Sequence, residues 1–336
     1  MPPPPPLGRP RKRGGRAFDP ALDDAELVAV RAQLAQGRWT RVRSLLVATG
    51  DDWDRRGHRL TVLGEPATSG AWAREWLLAE PDSPDAAALY ACALVSRCLG
   101  EKDGRDGKDG KGGRGGQGGS GGNGHTDRAR DACLEAARLA PADPTPWLAL
   151  LALSRRLGSD NETEQIFAEV CSRHPDHHHA HHLMAARLAE RRPGDGADPM
   201  HEVYAFAAAS VSRAPADSPL ALLPLVAHAE RYRVLAAGGA APGDPVDSEH
   251  WTGRRARQVI KSAFDWWLEW EREDHPRAGV DLNFLAHAKH CEGRPAEAAA
   301  LFHRIGRHFT PAPWSYPDRD PYRAFQAARS AALGTA

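Results

Sequence analysis

Apolar residues recur along most of this chain three or four positions apart, the period that lays one stripe along an α-helix. Val259, Ile260, Ala263, Trp267 and Trp270 form one such series. His181, Met184, Ala185 and Leu188 fill the packing positions of another. Alternating runs rich in Val, Ile and Thr, the mark of strands, are nearly absent, so the pattern predicts an all-α protein. The interruptions repeat as well. Pro81-Asp82-Ser83-Pro84, Pro141-Ala142-Asp143-Pro144 and Pro215-Ala216-Asp217-Ser218-Pro219 share one design. The first proline closes a helix, and a Ser or Asp accepts from the free N–H groups of the next. The second proline takes the first helical position, where its missing N–H costs nothing.

Pro141 and Pro175 stand 34 residues apart, the period of a helix–turn–helix unit that must stack on copies of itself to bury its apolar face. Ala129, Cys133, Ala136, Ala137 and Pro141 occupy one unit, and Trp147, Leu150, Phe167 and Pro175 the next. This arrangement resembles the tetratricopeptide repeat, with Trp-x2-Leu on the first helix and a phenylalanine and a closing proline on the second. It departs from that family at Leu151, Ser154 and Thr163, where glycine, tyrosine and alanine are preferred. The resemblance is strongest over 127–191 and extends, less regularly, over most of 23–310. Leu285, Ala298 and Phe302 fall in frame near its end, with Gly293 at the turn.

The resemblance implies an all-α, right-handed tetratricopeptide-like solenoid of about five or six stacked antiparallel helix pairs. In it Trp147, Leu150, Phe167 and Phe302 form the repeat core. First helices line a concave groove, where this family usually holds extended peptides. Counted in that frame, Arg155, His179, His182, Asn283 and His287 face the groove. The implied function is a non-catalytic protein–protein interaction module, an adaptor whose partner is a segment of another protein or a peptide. Leu148 and Ala152 stand where polar residues of a carboxylate clamp would be, so the clamp is not carried over.

Three stretches fall outside the repeat. Residues 1–22 begin with five prolines and continue into an Arg/Lys cluster, predicting a disordered tail. Residues 101–125 are Gly-rich and nearly free of apolar groups, predicting a flexible insert inside the helical-repeat domain of 23–310. Residues 311–336 read as a C-terminal cap or tail, with Trp314 and Tyr316 covering the end of the array.

Composition narrows the function classes. Lys plus Arg and Asp plus Glu are equal at 44 each, so no net charge draws the molecule toward nucleic acid or an anionic membrane. No apolar run reaches the ~18 residues of a spanning helix. The five cysteines are scattered and include no CxxC pair, which fits a reduced, cytoplasmic setting. Nucleophile-elbow, Walker and dinucleotide-binding motifs are absent. No catalytic residue and no cofactor is therefore assigned.

The segment from His174 to His182 carries six histidines: His174, His177, His178, His179, His181 and His182. On a helix, His178 and His182 share a face, and such pairs chelate zinc or nickel. Two readings stay open. One is a polar first helix with His181 packed where the family places tryptophan. The other is a metal-binding protein or metal-dependent enzyme that uses this cluster.

Overall fold

The computed structural model describes residues 18–34, 39–68, 71–109, 121–191, 201–270 and 275–334, with backbone alone for 101–109 and 121–123. These residues form an all-α protein without strands. In chain order the helices are α1 (Ala25–Leu34), α2 (Thr40–Thr49), α3 (Trp53–Ala67), α4 (Trp72–Ala79) and α5 (Pro84–Asp109). There follow α6 (Gly121–Leu139), α7 (Thr145–Leu157), α8 (Asp160–Arg173), α9 (His178–Glu190), α10 (Glu202–Arg213) and α11 (Leu223–Ala237). The last are α12 (Arg254–Trp270), α13 (Ala278–Cys291), α14 (Pro295–Ile305), α15 (Pro311–Trp314) and α16 (Pro321–Leu333). No described helix is long and apolar enough to cross a membrane.

The punctuated joints work through their side chains. Ser83 Oγ accepts from Ala86 N–H at 3.4 Å and Pro84 opens α5. Asp143 Oδ1 accepts from Thr145 N–H at 2.7 Å at the start of α7. Ser159 accepts from Glu162 N–H and so starts α8. Ser218 accepts from Leu220 N–H, but the proline there opens a short 3-10 turn before α11. Gly293 and Gly306 take φ of 77° and 56° at the ends of α13 and α14, a conformation that favours glycine.

Helices α3, α5, α7, α9, α11 and α13 form an inner row in which each packs on the next. The row bends, and the segment before α1 comes back to α13. α3 touches α9, two places further along than its neighbour α5. The segment before α1 lies against the start of α13, with Leu22 Cδ2 3.7 Å from the position a Cβ on Gly279 would take. Phe18 packs edge-on against Phe309, ring centroids 6.4 Å apart.

Two arginines of α3 are folded inside. Arg56 reaches Asp143 Oδ2 at 2.7 Å and Asp85 Oδ1 at 2.6 Å, tying α3 to the starts of α7 and α5. Arg59 pairs with Asp24 Oδ2 at 2.7 Å and donates to Thr49 Oγ1 at 2.8 Å. A buried guanidinium is tolerated only when carboxylates meet it with good geometry, so these pairs fix the placement of the first helices more than they add stability.

Several expectations change. Phe18 to Leu22 do not belong to a tail: Ala21 and Leu22 are buried and Leu22 joins the core around α13. Residues 1–17 lie outside the described residues. The predicted insert is narrower, because α5 runs through Asp109 and α6 begins at Gly121. Only 110–120 of it fall outside the described residues. Leu150 and Phe302 are buried, whereas Trp147 and Phe167 are only partly so. Phe167 sits at the seam, touching both halves of the core. Trp147 reaches the surface, where the Arg173 guanidinium lies 5.0 Å over its ring. Trp314 and Tyr316 are buried against α13 and α14.

This difference in burial sets an expected order of stability. Phe302→Ala should cost about 3–5 kcal/mol in urea unfolding. Trp147→Ala should cost clearly less, since water and Arg173 already share its ring. Equal losses would contradict the packing described.

Candidate metal and ligand site

The beginnings of α3, α9 and α13 converge on one buried point. A helix start leaves backbone N–H groups without partners, and His177, at the cap position of α9, makes no side-chain cap bond. Asp54, in the first turn of α3, supplies the acceptor instead. Its Oδ1 accepts from the His178 backbone N–H at 3.0 Å, and its Oδ2 from His174 Nε2 at 3.1 Å. His177 Nδ1 stands 3.2 Å from Oδ1. Burial pushes the Asp54 carboxyl up. The hydrogen bond from His174 and the fields of His177, His275 and His178 outweigh this and hold it well below the usual carboxylate range. The same hydrogen bond raises His174.

On the other side, His178 Nε2–H donates to Asp281 of α13, at 2.9 Å from Oδ2 and 3.1 Å from Oδ1. The His275 ring lies 4.4 Å from the His178 ring, and the His182 ring 4.1 Å. His182 Nε2 stands 3.6 Å from Asp281 Oδ1. His178, His275 and Asp281 each offer one donor atom, and the three atoms lie within 4.8 Å of one another. A tetrahedral zinc ion with bonds of about 2.1 Å needs donors roughly 3.4 Å apart. Small side-chain rotations therefore close this set on an ion.

The electrostatics suit ligation. Burial lowers His178 to about 3 and His275 to about 4, so both rings offer neutral imidazole near pH 7. Burial raises the Asp281 carboxyl, against the pull of His182, His275 and Arg277. Arg277, between His275 and Asp281 in sequence, is brought down by burial to about 10. Among the described residues, Arg277 Nε, His275 Nε2, His182 Nε2 and His58 Nε2 have no hydrogen-bond partner. Buried polar atoms in such numbers mark a place that a bound ion, ligand or water completes.

A cavity of about 370 Å3 reaches this cluster, with His275 and Asp281 in its wall beside Ala278 and Gly279. Leu22, Leu222, Trp266, Trp267, Leu282 and Ile305 make the rest of the wall largely apolar.

The residues predicted to face a groove are elsewhere. Asn283 is fully buried: its amide donates to Gly279 O and His308 O at 2.8 and 2.9 Å and accepts from Trp314 Nε1 at 3.0 Å. His287 is buried beneath Trp251 and Trp314 and hydrogen-bonds Tyr316 Oη at 2.8 Å. His182 is buried between His178 and Phe284. Arg155, half-buried, is paired with Glu190 at 2.8 Å, and His179 is partly buried. Residues 308–316 cover the face of α13 that the repeat frame leaves open, which is why Asn283 and His287 line no groove. His181 is a core ring packed on Phe167 and Phe206.

Of the two metal candidates, His178 belongs to the donor set and His182 stands next to it. His275, Asp281, Asp54 and Arg277 were missed. Their partners lie about 100 residues away or more, and no local spacing announces them. The one signal was a histidine set between acids and a proline in EREDHPRAG.

No family model, no curated protein and no solved structure matches this chain, so its function must be read from this geometry.

The buried rings carry a pH dependence. His177 and His275 are lowered to about 4 and His58 and His178 to about 3, mainly by burial. In the unfolded chain each takes up a proton below about pH 6.5. The unfolded state then binds more protons, so this stability is complete above pH 6.5 and is lost as the pH falls toward 4 and 3. His174, raised, runs the other way and loses its contribution as the pH rises through its folded value. His179, His181, His182, His228, His287 and His290 are lowered too, so ten lowered rings against one raised ring make the net slope positive. The unfolding free energy in urea should fall from pH 6.5 to pH 4, and His58→Gln should shallow the slope by up to ~1.4 kcal/mol per pH unit. A flat profile would exclude neutral buried rings.

Proposed function

We propose that this chain is a tetratricopeptide-like helical array bent into contact with itself, and that it binds one divalent metal ion at His178, His275 and Asp281. The observation that carries this reading is the meeting of two imidazoles and a carboxylate, from α9 and from the start of α13, within 4.8 Å at the wall of a cavity. Three protein ligands leave a coordination position for water or a small molecule, the pattern of catalytic rather than purely structural sites. When bound, the ion would supply Lewis-acid chemistry at that position. His182 stands by as a further nitrogen donor. Asp54 fixes the start of α9 and through it the position of His178, the kind of support that governs metal affinity. Helical pairing α7 with α8 and α9 with α10 supports the repeat reading. The adaptor reading drew on five groove residues, and the burial of Asn283, His287 and His182 takes away most of that set.

Untagged protein purified without chelator should carry close to one equivalent of a transition metal by elemental mass spectrometry. His178→Ala and Asp281→Asn should each lose it while keeping helical circular dichroism. Asp54→Asn should keep the ligands but bind about 10–100-fold more weakly. No metal uptake, even after dialysis against zinc, would end this reading.

A further inference from the structure

The metal reading leaves open what the ion would meet in the cavity, and the cavity wall is graded in a way that bears on this. Asp281, Leu222 and Ile305 of the wall are buried, whereas Asp23 and Arg304 are exposed. Trp266, Trp267, Leu282 and His275 are half-buried. Trp266 is held in place by its Nε1–H bond to Ala216 O at 2.8 Å. A space of about 370 Å3 lies at the small end of the range that accepts low-molecular-weight ligands, about 300–1,000 Å3. One cavity thus offers flat apolar surface and the donor cluster together.

Charge then selects the ligand's inner end. A divalent ion and the Arg277 guanidinium together carry one more positive charge than Asp54 and Asp281 carry negative. His178 and His275 ligate as neutral imidazoles and do not change that balance. An uncompensated positive charge away from water is costly, and a bound ion dominates the local field. The missing charge is best supplied by an anion on the open coordination position. Arg277, with no partner for its Nε among the described residues, strengthens the same preference.

We propose that the site accepts a small monocarboxylate, its carboxylate completing the coordination of the ion and its apolar body lying against Trp266, Trp267 and Leu282. This rests on the metal reading above and names its ligand class. Gly279 gives a way to test it that spares the ligands. A Cβ there meets nothing closer than Leu22 at 3.7 Å, so a larger side chain is tolerated by the helix and fills the cavity.

The experiment is isothermal titration of the zinc-loaded full chain with sodium 3-phenylpropanoate, 3-phenylpropan-1-ol and sodium acetate, with zinc content measured on every sample. The aromatic carboxylate should bind at least about tenfold tighter than the uncharged alcohol and than acetate, a difference of one decade in Kd. Gly279→Leu should keep its zinc and lose at least about tenfold in affinity for 3-phenylpropanoate. The zinc-free chain should lose the preference for carboxylate over alcohol. Equal binding of alcohol and carboxylate, no binding of either, or unchanged binding by a zinc-retaining Gly279→Leu chain would overturn the proposal while leaving the metal site standing. A chain that takes up no zinc overturns both, and its metal content identifies that case.

Discussion

The inner architecture depends on one half-buried carboxylate, Asp54. Helix α9 begins away from water with free N–H groups, and its own cap residue supplies no acceptor. Asp54 reaches across from α3 to fill that role and gathers His174 and His177 as it does so. Because the carboxylate satisfies both a helix start and the imidazoles, the start of α9 and the histidine cluster are placed together. His178 is thereby presented to Asp281 and His275 on the far side. The histidine-rich stretch is thus neither a solvated face nor a free-standing chelating motif. It is a helix start held by Asp54 that carries His178 to the donor set.

How much of this was readable in the sequence follows from how far each interaction reaches along the chain. The acceptors Ser83 and Asp143 act within three residues, and reading them locally located their helices. Phe302 and Leu150 follow from periodicity because a stripe of one helix settles which residues face inward. Trp147 shows the limit: periodicity gave it a buried position, but Arg173 shares that place and keeps the ring near the surface. Asn283 and His287 failed for another reason. The repeat frame placed them on an open groove, and it had no means of showing that residues 308–316 would come back over that face of α13. Asp54, His275 and Asp281 are ordinary residues in ordinary helical stretches until the bend of the array brings them together.

The bend is also where burial and charge are balanced. Arg56 and Arg59 enter the interior with their carboxylates already matched to them. Arg277 does not: its field is shared with Asp54 and Asp281, and part of its guanidinium has no partner among the described residues. Arg56 and Arg59 thus serve the fold through matched carboxylates, whereas Arg277 stands beside the histidine cluster without such a match.

The contact of Leu22 with the start of α13 has a consequence in time. The cavity wall combines residues 22 and 23 with residues 266–308, so it closes only through pairings across more than two hundred positions. Such pairings form late, after the loop-closure entropy has been overcome. During synthesis, the segment before α1 must wait for most of the chain before α13 emerges. A nascent chain that stops before residue 275 has the histidines of α9 but neither His275 nor Asp281. Completion of the site is therefore a late event in the making of the molecule, and its presence reports that both ends have found each other.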